Sequence, residues 1–242
     1  MATLVFNLET VAENWQSLDN NSQYSLTHWI AGQARDEQDR ERLEQQVKDR
    51  LAFSPLTAKI ASLSIYDLER KRGVVYCKSY HEKDDTNGNF IYKQRSEKDL
   101  LFEFWDGVLH YDTLVTFNGR GMVVPFLLHR SAALGIRPTK NLLESRYPAW
   151  QKSCRHIDLQ DELTFFGAMR KRPSLQLFCQ AYNIPFENKL AKDQVKDLVQ
   201  ANNFLELAKY STNNLSALVT LYQRWLEYLR FDTETLDLDL GF

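Results

Sequence analysis

The segment Thr3-Leu4-Val5-Phe6-Asn7-Leu8-Glu9-Thr10 constrains this chain most. Its apolar residues predict a buried strand over about residues 2–8, placed before any helix-forming segment. Side chains along a strand repeat with period two, so Asn7 and Glu9 project from one face. The two polar groups are an amide and a carboxylate of nearly equal shape, and only the second carries charge.

The chain is long enough, at 242 residues, to bury a sizeable core, and one large domain over 1–242 is expected. Apolar residues make up 43% and charged residues 26%, the balance of a globular protein. No apolar run approaches a membrane span, and residues 1–10 lack the pattern of a secretory signal, so no membrane partner is expected. Cys77, Cys154 and Cys179 are odd in number and scattered, which reads as reduced thiols and a cytoplasmic location. The five histidines give no zinc spacing. A net charge of -2 argues against a general polyanion binder and leaves room for a local basic groove.

A polar, helix-prone stretch over about 12–52 follows the first strand and predicts a helical insertion, with Asn20 or Asn21 as a cap and a helix over Asp36–Leu51. Lys59–Asp67 alternates as a half-buried strand should, and Gly73–Tyr80 does the same. The cluster Asp84–Asn89 predicts a turn, making 74–80 and 90–94 a hairpin. Leu101, Phe104, Trp105 and Val108 form one helical stripe, and Thr113–Phe117 is a short strand. Helices are expected at about 123–134, 161–168, 174–182, 192–204 and 206–230, the last with Leu215, Leu218, Tyr222 and Trp225 on its core face. The order predicts an α/β layer fold with a mixed sheet.

Four segments, in order, carry a family resemblance. Phe6-Asn7-Leu8-Glu9-Thr10 resembles the first motif of the DEDD superfamily of 3'-5' exonucleases, Phe-Asp-x-Glu-Thr. Leu114–Arg130 is similar to the second motif, with Asn118, Gly119, Pro125, Phe126, Leu127 and Arg130 in place and Val123 at the aspartate position. His156–Ala168, followed by Ser174-Leu175 and Ile184-Pro185, resembles the connecting region. Tyr210–Tyr222 resembles the third motif, Tyr-x-x-x-Asp, with Asn214 at the aspartate position. The four together resemble the DEDDy-type bacterial group related to the exonuclease domain of family B DNA polymerases. The resemblance implies an RNase H-like fold, a mixed central sheet with flanking helices, here with a helical insertion after strand one.

In such enzymes two Mg²⁺ or Mn²⁺ ions clamp the scissile phosphate, and four carboxylates offset their charge. Carried over by position, that set becomes Asn7, Glu9, Val123 and Asn214, leaving Glu9 as a relic metal ligand beside Tyr210, the catalytic-position tyrosine. Hard divalent ions select charged oxygens, so no cofactor is expected for this sequence. Asp→Asn is a change an experimenter would make, but Val123 alters shape as well as charge and favours natural loss. Asp158 reads as a strand-end residue and Asp161 as a helix N-terminal one.

These readings predict a pseudoenzyme, an exonuclease-like protein of DNA replication or repair that binds single-stranded DNA or RNA, or a 3' end, through Phe117, Asn118, Tyr210, Arg170, Lys171 and Arg172. Two alternatives stay open: an active exonuclease seen as a mutant or using recruited carboxylates, and a protein-interaction module of a replication or repair assembly. The acidic tail, about 231–242, includes Thr235–Leu240, which resembles a sliding-clamp docking peptide through Leu236, Leu238 and Leu240. Thr235 departs from the glutamine of that peptide, and a short strand packed on the protein's own body, or a disordered acidic tail, is the favoured reading.

Overall fold

The structure is a computed structural model that describes residues 2–79, 83–186 and 192–230. The fold is built on a seven-stranded mixed sheet. Its strands are β1 (Thr3–Ala12), β2 (Ala58–Asp67), β3 (Arg72–Lys78), β4 (Lys83–Asn87), β5 (Phe90–Arg95), β6 (Thr113–Thr116) and β7 (Arg155–Asp158), in the spatial order β4-β5-β3-β2-β1-β6-β7. β1 lies inside the sheet, antiparallel to β2 and parallel to β6. The expected hairpin between 74–80 and 90–94 does not form. β3 pairs with β5 in parallel, and the hairpin is β4 with β5, closing through Gly88 at φ 58°. Its polar sequence hides β4, because an edge strand facing water needs no apolar alternation.

The helices are α1 (Asn20–Thr27), α2 (Glu37–Arg50), α3 (Glu97–Gly107), α4 (Val124–Ala133), α5 (Leu159–Leu163), α6 (Leu175–Ala181), α7 (Lys192–Gln200) and α8 (Phe204–Tyr228). α1 and α2 are the expected insertion. Asp19, not an asparagine, caps α1 by accepting from the Ser22 N–H, and Asp36 caps α2. The expected helix over 161–168 stops at Leu163, because Phe165 and Phe166 both adopt left-handed backbone, φ 51° and 54°.

Two packed layers enclose the sheet. Leu4, Phe6 and Leu8 of β1 join Leu101, Phe104, Trp105 and Val108 of the α3 segment on one face. Val5 faces the other way, toward Leu215, Leu218, Tyr222 and Trp225 of α8. The second-motif residue Arg130 on α4 donates to both oxygens of buried Glu97, at 2.8 Å each, and Glu97 also accepts from the Ile60 N–H at 2.9 Å. That bidentate pair ties α4, α3 and β2 together and keeps a buried carboxylate satisfied. Among the described residues no helix is long and apolar enough to cross a membrane.

Candidate functional site

Period two along β1 puts Leu4, Phe6 and Leu8 in one core layer and sends Asn7 and Glu9 to the opposite face, toward α8. Both polar side chains are half-buried there. In register, Asn7 lies across from Ser64 and Glu9 from Ser62 of β2. The register slips just past Glu9, where Thr10 pairs with Ile60 and leaves Ala61 as the extra residue of a bulge. A bulge bends a strand and re-aims the side chains beside it. The Ser62 and Ser211 hydroxyls share a 2.5 Å hydrogen bond that fixes α8 over this point.

α8 then delivers Asn214, only 7% exposed, to Glu9. The Asn214 Nδ2 donates to Glu9 Oε1 at 2.7 Å, and the Asn7 Nδ2 donates to the same oxygen at 3.3 Å. An ionised carboxylate only accepts, so both amides turn their N–H ends toward it. Tyr210, one helical turn before Asn214, shares a hydrogen bond with the Asn214 side chain. Burial, and then the charge of Glu9, raise the Tyr210 phenol above its ordinary pKa, so it keeps its proton.

The second wall comes from the end of β6. Asn118 takes left-handed backbone, φ 52° and ψ 36°, which asparagine tolerates better than most residues. A Cβ on Gly119 would lie 1.8 Å from Thr116 Oγ1, and one on Gly121 would lie 2.4 Å from Asn118 Oδ1. Close approach therefore requires glycine at 119, whereas at 121 the Asn118 side chain could move aside. The chain continues as a π-helical turn, Gly119–Val123, into α4. Val123 does not reach the site: it is buried and packs with Leu4, Phe6 and Leu8, as an apolar side chain gains by burial. Met122 lines the cleft beside it.

Asn7, Glu9, Phe117, Asn118, Tyr210 and Asn214 thus line one cleft of about 480 Å³. Phe53, at the end of the insertion, and Gln160, after β7, also line it, and neither is recognisable from the sequence as a site residue. Arg172 also lines the cleft, whereas Arg170 and Lys171 are exposed and do not line it. Leu236, Leu238 and Leu240 lie outside the described residues.

Nearby polar residues have other duties. His156 is 2% exposed, and burial lowers its pKa to about 4. Its Nδ1 meets the Leu142 carbonyl at 2.9 Å and therefore carries the hydrogen, while Nε2 accepts from the Thr116 hydroxyl at 2.8 Å. Asp158 accepts from the Arg120 and Gln160 N–H groups, and burial raises its pKa. Asp161 binds Arg146 and Arg172.

The donor set bears on the metals that the resemblance implies. Glu9 supplies one carboxylate, and the flanking amides present N–H groups to it. Among the described residues no group of three or more His, Cys, Asp and Glu side chains is placed to hold a metal ion. One carboxylate does not fit a pair of divalent ions.

Residues 56–239 match the family model described as a predicted 3'-5' exonuclease related to the exonuclease domain of PolB. The match begins beyond β1, so Asn7 and Glu9 fall outside it. No curated protein matches the chain. Among solved structures, the family B DNA polymerase from the hyperthermophilic archaeon Pyrobaculum calidifontis is similar, with a TM-score of 0.58 and 16% identity. The similarity covers 93% of this chain and 24% of the polymerase, and it shows the RNase H-like fold.

Proposed function

The chain belongs to the family of predicted 3'-5' exonucleases related to the exonuclease domain of PolB, and on that premise we propose that it binds a single-stranded 3' end without hydrolysing it. The observation that carries this reading is the Glu9 carboxylate held by the amides of Asn7 and Asn214. Amides there supply hydrogen bonds in place of the charge that metal ions require. They also remove repulsion toward phosphate, worth on the order of 1 kcal/mol per close pair in a solvated cleft. Phe117 and Tyr210 offer aromatic surface for a base, and Asn118 offers hydrogen-bonding groups.

The test is fluorescence anisotropy with a short oligonucleotide bearing a free 3' end, over a salt series. Binding should weaken as salt rises, because phosphate contacts release counterions. Tyr210→Ala should weaken it by about 1–3 kcal/mol if the ring stacks on a base. Absence of binding at low salt would favour a protein-interaction role instead.

A further inference from the structure

Residues 145–174 run beside the cleft, which Gln160, Arg172 and Ser174 line. Every exposed charged side chain in this stretch is basic: Arg146, Lys152, Arg155, Arg170, Lys171 and Arg172. Its acids are less exposed, with Asp158 and Asp161 buried and Glu162 half-buried, and Asp161 pairs with Arg146 and Arg172. Glu144, at the border, is taken up by the N–H groups of Lys152 and Ser153. In a chain of net charge -2, this stretch carries six exposed cations.

Aromatic rings belong to the same stretch, with Tyr147 close enough to Arg146 to act on its charge. Trp150 is 73% exposed and Tyr147 45%, with ring centroids 5.7 Å apart, and Tyr147 lies 4.9 Å from Phe166. Phe165 and Phe166 hold left-handed backbone in succession, a conformation L-residues rarely adopt even singly, and Phe165 is left 55% exposed. Strain that leaves aromatic surface in water, when burial is the favoured state, points to a ligand-facing segment. The patch reaches the cleft rim: Asp161 Oδ1 accepts from Arg146 at 2.7 Å and from Arg172 at 2.9 Å, and Arg172 lines the cleft.

We infer that Tyr147, Trp150 and Phe166, with Arg146 and Arg172, form a stacking platform for the single strand leading into the cleft. The rings take successive bases, and the cations follow the phosphates, the combination that single-strand binders use. This inference rests on the reading of the cleft as a 3'-end site.

The test compares labelled single strands of about 4 and about 12 nucleotides on the full chain, with a Tyr147→Ala/Trp150→Ala double variant. The double variant should bind the longer strand at least about tenfold more weakly and leave the shorter one unchanged. Tyr147→Phe/Trp150→Phe keeps the rings and should restore tight binding, while a thermal melt confirms that each variant folds. Unchanged binding of the longer strand by the folded double variant overturns the platform and leaves the cleft reading standing. If only the longer strand binds, and the double variant loses it, the platform holds and the cleft reading fails. Binding of neither strand by the unmodified protein overturns both.

Discussion

Asn214→Asp is the most informative single perturbation, because it changes the charge of the site and little of its shape. The 2.7 Å hydrogen bond from Asn214 Nδ2 to Glu9 Oε1 becomes a carboxylate facing a carboxylate. Losing a hydrogen bond to a charged group costs about 1.5–3 kcal/mol. Repulsion between unit charges near 4 Å adds about 1 kcal/mol in water and up to about 4 at an effective dielectric of 20. Glu9 is half-buried, so the lower part of that range applies and the total is about 3 kcal/mol. For a chain of this size that lowers the melting midpoint by about 6–12 °C. The new pair titrates as a unit, with one step raised above the ordinary carboxylate range. The folded state then binds more protons than the unfolded one below that step, so the variant regains stability as pH falls through it. Thermal melts of both proteins from about pH 4 to 8 measure this. A variant as stable as its parent at pH 7, with the same pH profile, would refute the Glu9–Asn214 contact.

Gly119→Ala should cost about 1–3 kcal/mol in a denaturant titration, because its Cβ would overlap Thr116 Oγ1. His156, with its pKa lowered to about 4, stays neutral in the fold while the unfolded chain protonates near 6.5. Its contribution is fully present above 6.5 and is lost as pH falls toward 4, amounting to about 3 kcal/mol, which His156 chemical shifts and pH-dependent unfolding together test. All three cysteines are buried, with the Cys77 thiol pushed up to about 12 and Cys179 to about 11, so thiol reagents should label them only on unfolding.

Periodicity made much of the fold legible. The stripe Leu101-Phe104-Trp105-Val108 and the apolar face of α8 are buried as their spacing predicts. β4 was not legible, since its residues are polar, and the parallel pairing of β3 with β5 depends on a detour that no local pattern encodes. The break at Phe165-Phe166 lacks the glycine that would signal left-handed backbone. In the site, Glu9 and Asn214 meet across 205 positions, a contact that motif order suggests and local spacing cannot. Val123 shows the limit of carrying motifs over by position: the aspartate position holds a side chain that joins the core and leaves the cleft to Met122.

Incubating the unmodified protein with a 5'-labelled single strand in Mg²⁺ or Mn²⁺, and resolving the products by length, tests the central claim most directly. The account predicts that the strand stays at full length while the same sample shows salt-sensitive binding. A ladder shortening from the 3' end would contradict it, because it would require a metal site that Asn7, Glu9 and Asn214 do not supply.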